Sequence, residues 1–185
     1  MKASRLIFAL LLASSVTVVQ LAAQQTKADQ KPIEEVKAKA EAGDAESEVE
    51  LGLRYEQGKD VAKDQVEAVK WYRKAAEQNF AAAQYNLGVC YDRGDGVAED
   101  HAEAAKWYRK AAEQNDADAQ YNLAICYERG DGVAEDWVEA YKWLLLAAKQ
   151  GREAPKEHMT LLESKLLTSG QIAQGQKRAR EFKPR

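Results

Sequence analysis

Few side chains of this sequence could perform chemistry, and none has the spacing that catalysis or metal binding requires. The two histidines, His101 and His158, form no H-x-x-x-H pair, and no C-x-x-C pair is present, so converging metal ligands are not expected. The serines beyond residue 23 are Ser47, Ser164 and Ser169, and none lies in an S-x-x-K or G-x-S-x-G motif that would activate its hydroxyl. We therefore predict no catalytic residue, no metal site and no cofactor.

The two cysteines could form a disulfide only if their backbones came close together. Cys90 and Cys126 occupy equivalent positions of two neighbouring repeats, described below. Helix axes pack about 8–10 Å apart, whereas a disulfide requires Cα atoms within about 7 Å. We expect free thiols on or near the core, and an oxidising compartment leaves a disulfide as the alternative. Arg54, at the equivalent position of the first repeat, indicates the border of the core rather than its interior.

A third group of side chains has the composition of a protein-binding surface. On a helical wheel these residues share the side opposite the apolar stripe that contains Leu87 and Tyr91. Mixed aromatic, aliphatic and arginine surfaces supply the residues that dominate protein interfaces. The alternative is that the tyrosines pack between neighbouring helices and expose only their hydroxyls. The predicted partner-binding groove consists of Val49, Glu50, Leu53, Tyr85, Asn86, Val89, Arg93, Tyr121, Asn122, Ile125 and Arg129.

All of these side chains are positioned by an internal repeat of 36 residues. Rows that begin at Ala45, Ala81 and Ala117 align without a gap, and the second and third rows are identical at 23 of 36 positions, the first and second at 20. A fixed period of this length is typical of a stacked solenoid. The high content of Ala, Glu, Lys and Gln and the sparse β-branched residues favour helix, so the sequence predicts an all-α chain.

Each row encodes a pair of helices. In the second row Ala83, Leu87 and Tyr91 fall on one helical face, and Gly94 follows as a left-handed C-cap. The second helix then begins at an aspartate cap and carries a buried stripe of Ala104, Trp107, Tyr108, Ala111 and Ala112. A capping box is predicted at each start, in which the aspartate accepts from the third helical N–H and the glutamate returns to the aspartate N–H. The three boxes are Asp64 with Glu67, Asp100 with Glu103, and Asp136 with Glu139.

The full pattern resembles the Sel-1-like repeat, a relative of the tetratricopeptide solenoids. It reads A-x-x-x-L-G-x-x-Y-x-x-G-x-G-V-x-x-D-x-x-x-A-x-x-W-Y-x-x-A-A, and it is complete from Ala83 to Ala112. The resemblance covers residues 45–152 and implies a right-handed α/α solenoid of tandem helical hairpins that acts as a protein-binding adaptor. Two rows depart from it. In the first row Asp60 replaces the second loop glycine, and aspartate tolerates left-handed geometry. In the third row Leu144, Leu145 and Leu146 stand where the second row has Tyr108, Arg109 and Lys110.

The predicted organisation has seven segments: a signal peptide at 1–23, a flexible linker at 24–31, a capping half-repeat at 32–44, repeats at 45–80, 81–116 and 117–152, and capping helices at 153–185. A last helix is expected to start after Thr168 or Ser169 and to end near Phe182. The leucines at 144–146 and in the segment 156–167 have two interpretations. They bury the open end of the solenoid, because terminal repeats are normally atypical, or they form an exposed patch for a partner.

The amino terminus predicts export. Lys2 and Arg5 precede an apolar run, and small residues allow cleavage after Ala23; an uncleaved anchor is the alternative. We expect a secreted or periplasmic monomer with no stable membrane span after cleavage. Loss of two cations changes the formal net charge from −3 to −5, and without a basic stripe nucleic acid is not an expected partner.

The function that these features favour is a non-enzymatic protein–protein interaction scaffold of the cell envelope, whose partner is a protein or peptide of unknown identity. The alternative comes only from the family resemblance: cysteine-rich relatives imply a small envelope protein that binds a ligand or hydrolyses β-lactams. Those relatives carry a cysteine pair inside each repeat, and this sequence lacks such pairs.

Overall fold

The computed structural model describes residues 32–185, so the predicted signal peptide and linker lie outside the described residues. Residues 32–185 form nine α-helices and no β-strand, which confirms the all-α class. The helices are α1 (Ile33–Glu41), α2 (Ala45–Gln57), α3 (Gln65–Glu77), α4 (Ala81–Arg93), α5 (His101–Glu113), α6 (Ala117–Arg129), α7 (Trp137–Lys149), α8 (Glu153–Lys165) and α9 (Ser169–Glu181). Within this part of the chain no helix is long and apolar enough to cross a membrane.

Three hairpins, α2–α3, α4–α5 and α6–α7, form the body of the solenoid. Each second helix also packs against the first helix of the next hairpin, so every hairpin contacts its neighbours along the chain. The predicted glycine C-caps are confirmed, because Gly58, Gly94 and Gly130 follow the first helices with φ of 69°, 71° and 74°. Only a residue without Cβ adopts this geometry at little cost.

The aspartate caps of the second helices are confirmed, but the capping boxes are only half formed. Asp100 Oδ1 accepts hydrogen bonds from the N–H groups of Ala102 (2.9 Å) and Glu103 (3.0 Å). The Asp100 N–H donates instead to the Tyr91 carbonyl at 2.9 Å, and Glu103 pairs with Lys106 at 2.8 Å. The prediction for the glutamates is therefore wrong, because carbonyls in the last turn of the preceding helix are free acceptors. The equivalent bonds join Asp64 to Tyr55 and Asp136 to Tyr127.

The core follows the predicted stripe of the second helices. Ala104, Tyr108, Ala111 and Ala112 are fully buried, and Trp107 is buried at the edge of this stripe. Small residues on one helix admit large residues of the other, as at Gly88, where an added Cβ would lie 2.7 Å from the Tyr108 ring. The third hairpin replaces both members of this pair, with Ala124 and Leu144. In the third hairpin, the methyl group that Ala124 adds is thus accompanied by leucine in place of the larger tyrosine.

The second loop glycine is required by contact with the preceding hairpin. A Cβ on Gly96 would lie 2.2 Å from the Gln65 carbonyl oxygen, at the first residue of α3, and Gly132 meets His101 in the same way at 2.1 Å. Asp60 takes the equivalent place in the first hairpin with φ of 60°, which confirms the left-handed geometry. The helix that precedes the first hairpin, α1, begins at residue 33. The position equivalent to the start of α3 is residue 29, so α1 begins four residues later in the repeat.

An amide network that the sequence analysis missed joins each hairpin to the next. Gln114 Nε2 donates to Gln84 Oε1 at 2.8 Å, and Gln84 Nε2 donates to Asn79 Oδ1 at 3.0 Å. Asn79 occupies the tight turn between α3 and α4 with φ of 64°. Gln150, Gln120 and Asn115 repeat these contacts one hairpin later. In the first hairpin the buried glutamine is replaced by Glu48, which accepts from Gln78 at 2.7 Å.

Helices α8 and α9 both pack on α7 at the C-terminal end. Leu144 and Leu162 are fully buried there and Leu167 is half-buried, but Leu161 and Leu166 are 44% and 56% exposed. The leucines therefore divide between a buried set and an exposed set. The predicted last helix is confirmed as α9, and its N-terminus carries a complete capping box of Thr168 and Gln171. Gly175 of α9 fits against the Tyr141 ring of α7.

Candidate protein-binding surface

The eleven residues predicted to form a groove, called the A surface below, lie on α2, α4 and α6, the first helices of the three hairpins. Arg93 and Arg129 are exposed, whereas Val49 is only 8% exposed and lies behind the surface. The remaining eight are half-buried, which leaves part of each side chain available for contact. They are Glu50, Leu53, Tyr85, Asn86, Val89, Tyr121, Asn122 and Ile125.

The two tyrosines of the A surface are held against neighbouring elements. The Tyr85 ring lies 6.1 Å from the Tyr108 ring of α5. Burial, with the carboxylates of Asp118 and Asp116, raises the pKa of Tyr85, so its hydroxyl stays protonated at neutral pH. The Tyr121 ring meets His158 of α8 edge-on at 6.0 Å. Both rings therefore pack against a neighbouring helix and are half-buried.

Helix α8 continues the row of first helices, and polar side-chain contacts attach it to α6. His158 Nε2 lies 2.8 Å from Glu128 Oε2, and both side chains are largely buried. At the other end of α6, Arg152 pairs with Asp118 at 2.6 Å. Tyr121 lies between these two pairs on the same helix. Its ring is therefore fixed by contacts that the sequence analysis did not identify.

A cavity of about 150 Å³ opens within the A surface beside α6. Three predicted residues line it, namely Asn122, Ile125 and Arg129. Asp92 of α4 and Tyr108 of α5 complete its polar wall. The structure thus brings together side chains of two neighbouring hairpins, with donors and acceptors of both charges at one opening.

The Cys126 thiol lies in the wall of the same cavity, but it is a poor nucleophile. Burial raises the pKa of Cys126 to about 12, and burial does the same to the pKa of Cys90. A thiol in this range is almost entirely protonated at neutral pH, whereas the thiolate is the reactive form. Both cysteines are free and buried, which confirms the predicted free thiols.

Arg54 occupies the equivalent position of the first hairpin and corrects the prediction for it. Its side chain is 5% exposed, so this position belongs to the interior and not to its border. The guanidinium is paired there with two carboxylates, Glu50 Oε1 at 2.6 Å and Asp60 Oδ2 at 3.0 Å. Buried charges are tolerated when they are paired in this way.

An acidic row on the first helices was also missed by the sequence analysis. Glu56 accepts a hydrogen bond from the Tyr72 hydroxyl at 2.6 Å. Asp92 lies 3.2 Å from His101 Nδ1, and Glu128 pairs with His158 as described above. The signal was present as an acid at one position of every row. In the first two hairpins the partner lies on the second helix of the same hairpin, whereas in the third it lies on α8.

The chain shows similarity to repeat proteins over most of the part that the structure describes. It matches the Sel1 repeat over residues 45–80, 81–116 and 117–151. It is 46% identical over 43 residues to the secretory immunoglobulin A-binding protein EsiB of Escherichia coli O6:H1, which is 23% of this chain and 9% of that protein. The chain therefore spans a small part of the length of this curated relative.

Three solved structures are similar in fold. The first, c5321, is described as a protective antigen of uropathogenic Escherichia coli with an SLR fold; it shares 40% identity and a TM-score of 0.71 over 82% of this chain and 33% of its own. A Sel1 repeat protein from Oxalobacter formigenes shares 39% identity and a TM-score of 0.64 over 68% of this chain and 95% of its own. Cysteine-rich protein B of Helicobacter pylori, at 23% identity and a TM-score of 0.55 over 69% of this chain and 97% of its own, shows the fold alone.

The matches and the geometry agree. The three hairpins coincide with the three matched segments, and proteins with this repeat are generally non-catalytic scaffolds that mediate protein–protein interaction. The chain belongs to the Sel1 repeat family.

Proposed function

We propose that this protein is a non-enzymatic scaffold of the cell envelope that binds a partner protein or peptide through the A surface. The observation that carries the proposal is a repeated set of side chains. Tyr85, Asn86 and Arg93 of α4 recur as Tyr121, Asn122 and Arg129 of α6, with the arginines exposed and the others half-buried. Fixed aromatic edges beside exposed guanidinium groups have the composition of interface hot spots.

The pre-formed state of this surface supports the proposal further. Tyr121 is held between α6 and α8, and Tyr85 against α5. Side chains that are already ordered lose little conformational entropy when a partner binds. The cavity beside Asn122 and Arg129 offers a place for one polar side chain of the partner.

The relatives support a protein as the partner and an envelope location. EsiB is named for binding secretory immunoglobulin A, and c5321 is described as a protective antigen. Together with the predicted signal peptide at residues 1–23, these descriptions favour a secreted or periplasmic protein. The partner of this chain is proposed only as a protein or peptide that complements a surface with exposed arginines.

The test is capture of partners from the envelope fraction of the source cells. We expect Arg93→Glu combined with Arg129→Glu to abolish capture, because both residues are exposed and their loss leaves the core intact. Lys70→Glu combined with Lys106→Glu is the matched control, with the same change of charge on the exposed side of the second helices. Retention of every partner by a folded Arg93/Arg129 variant would rule out the A surface.

The β-lactam alternative has no support in the part of the chain that the structure describes. The protonated thiols lack nucleophilic character, and the similarity to cysteine-rich protein B extends to fold alone. Purified protein is expected to leave a chromogenic β-lactam intact. Turnover that disappears in a Cys126→Ser variant would replace the scaffold proposal with an enzymatic one.

A further inference from the structure

A second surface, on the opposite helices of the hairpins, carries one tryptophan per repeat. Trp71, Trp107 and Trp143 lie on α3, α5 and α7, and each is buried except for an edge. Lys74 Nζ lies 3.9 Å from the Trp71 ring centroid and Lys110 Nζ lies 3.8 Å from that of Trp107. Lys142 Nζ lies 4.1 Å from the Trp143 centroid. These are cation–π distances, so each of the three indoles already contacts a cation of its own helix.

At the third tryptophan the chain supplies its own ligand. The segment that follows α9 is extended, with φ of −65° and ψ of 132° at Phe182. The Phe182 ring meets the Trp143 ring edge-on, with centroids 5.2 Å apart and planes at 70°. Three residues later, the Arg185 N–H donates to the Glu113 carbonyl at 2.9 Å, and Arg185 Nη1 lies 3.3 Å from Glu113 Oε2. An aromatic-x-x-arginine segment thus bridges α7 and the end of α5.

The same two receptor groups exist one repeat earlier without an occupant from residues 32–185. Trp107 is equivalent to Trp143, and Glu77 is equivalent to Glu113. An open cavity of about 400 Å³ is lined by both residues and by Lys110 and Gln114. Glu113 and Arg185, which pair at the neighbouring site, also line it, so the two sites adjoin each other. This volume falls within the range of ligand pockets. The carbonyl of Glu77 ends α3 as that of Glu113 ends α5, and such terminal carbonyls have no donor within their own helix.

We propose that the Trp107–Glu77 cavity binds an extended peptide segment of a partner protein that carries an aromatic side chain and, three residues later, an arginine or lysine. The aromatic ring packs on Trp107, the cation pairs with Glu77, and a backbone N–H of the segment donates to the Glu77 carbonyl. The chain's own segment 182–185 defines this chemistry by its contacts with Trp143 and Glu113. That segment is tethered beside its own site at high effective concentration, which disfavours its exchange into a second copy.

The probe is the peptide acetyl-EFKPR-amide, titrated into the ¹⁵N-labelled protein. The chain has four tryptophans, and each contributes one indole N–H signal. We expect the Trp107 signal to shift in a saturable manner, and an alanine in place of the peptide phenylalanine to abolish the shift. Glu77→Lys should weaken binding at least threefold, whereas Glu46→Lys, with the same change of charge at an exposed site on α2, should not.

A second variant keeps the proposal open to contradiction. Phe182→Ser should free the Trp143 ring while Arg185 stays in the wall of the Trp107 cavity, so the peptide should then shift the Trp143 signal as well and the stoichiometry should rise by one. Peptide that leaves Trp107 unmoved, or equal effects of Glu77→Lys and Glu46→Lys, would overturn the proposal. A concentration-dependent dimer that is lost in Phe182→Ser would assign the cavity to a second copy instead. The Arg93/Arg129 variant should bind the peptide normally, which separates this proposal from the A surface.

Discussion

The first and second hairpins place different side chains at the same buried positions of one backbone frame. Where α4 has Cys90 and Gln84, α2 has Arg54 and Glu48, and all four are buried. The charged set is accommodated because Glu50 and Asp60 neutralise the guanidinium and Gln78 donates to Glu48. The repeat therefore specifies where side chains lie, while each hairpin supplies its own compensation. Exchanges between the hairpins test this directly.

The largest effect is expected for Cys90→Arg, which gives the second hairpin the buried cation of the first. Asn86 and Gly96 stand where the first hairpin has Glu50 and Asp60, so neither compensating carboxylate is present. A buried charge without its designed partners costs about 3–5 kcal/mol. Urea unfolding of the variant should show this loss. The reverse exchange, Arg54→Cys, should cost less, about 1–2 kcal/mol, since the released carboxylates stay partly exposed. Full stability of Cys90→Arg would mean that the nearby Glu56 and Asp95 carboxylates suffice.

A somewhat smaller loss is expected for Gly96→Asp, which transfers the first loop to the second hairpin. The new Cβ would lie 2.2 Å from the Gln65 carbonyl oxygen, so the backbone must move. With the left-handed φ of 72°, we expect about 3 kcal/mol of destabilisation. The reverse exchange, Asp60→Gly, is the control; it adds no steric contact, so its cost should be limited to the lost ion pair with Arg54. Equal effects at the two loops would show that contact with the preceding hairpin is unimportant.

A loss of intermediate size is expected for exchanges with the third hairpin, which has Ala124 and Leu144 where the second has Gly88 and Tyr108. Gly88→Ala should destabilise the protein by about 2 kcal/mol, because the methyl group meets the Tyr108 ring at 2.7 Å. Adding Tyr108→Leu imports the combination of the third hairpin and should recover part of that loss. A double-mutant cycle measured by chemical denaturation gives the coupling energy. Strictly additive losses would show that Gly88 and Tyr108 are not energetically coupled.

The smallest effect is expected for Glu48→Gln, which gives the first hairpin the amide of the second. Burial raises the pKa of Glu48, and Lys74 and Gln78 only partly oppose this. Ionisation therefore costs more in the folded state, and wild-type stability falls as the pH rises above the unfolded value of about 4.5. At pH 7 glutamine should raise the free energy of unfolding by about 1 kcal/mol, which is measured as a higher thermal midpoint. The gain should vanish near pH 4.

The matched control for this pH series is Glu46→Gln, an exposed site on the same helix. It should show no gain that depends on pH between 4 and 7. A gain for Glu48→Gln that persists at pH 4 would attribute the effect to hydrogen-bond geometry and not to the charge.

Much of the fold was predictable from local pattern. The glycine caps, the aspartate caps and the buried stripe from Ala104 to Ala112 depend on φ preference, orphan N–H groups and helical periodicity, all of which act within one turn or one helix. The free state of Cys90 and Cys126 followed from the spacing of packed helices. The A surface is still a prediction, since the wheel identifies a side of a helix but not what binds it.

Other features could not be predicted because they depend on partners far along the chain. Glu103 fits the local capping-box motif, yet the Tyr91 carbonyl of the preceding helix takes the N–H that it would bind. Arg54 was predicted to lie at the border of the core, because its pairing with Glu50 and Asp60 in the interior is evident only in the structure.

The number, order and ends of the hairpins could be predicted because they follow from side chains that are neighbours along one helix or one turn. The contacts between hairpins, such as Phe182 with Trp143 and His158 with Glu128, became known only from the packed structure. The physical reason is distance. A periodic pattern assigns each residue to a face, whereas a contact depends on how far helices approach and which long side chains can reach across the gap.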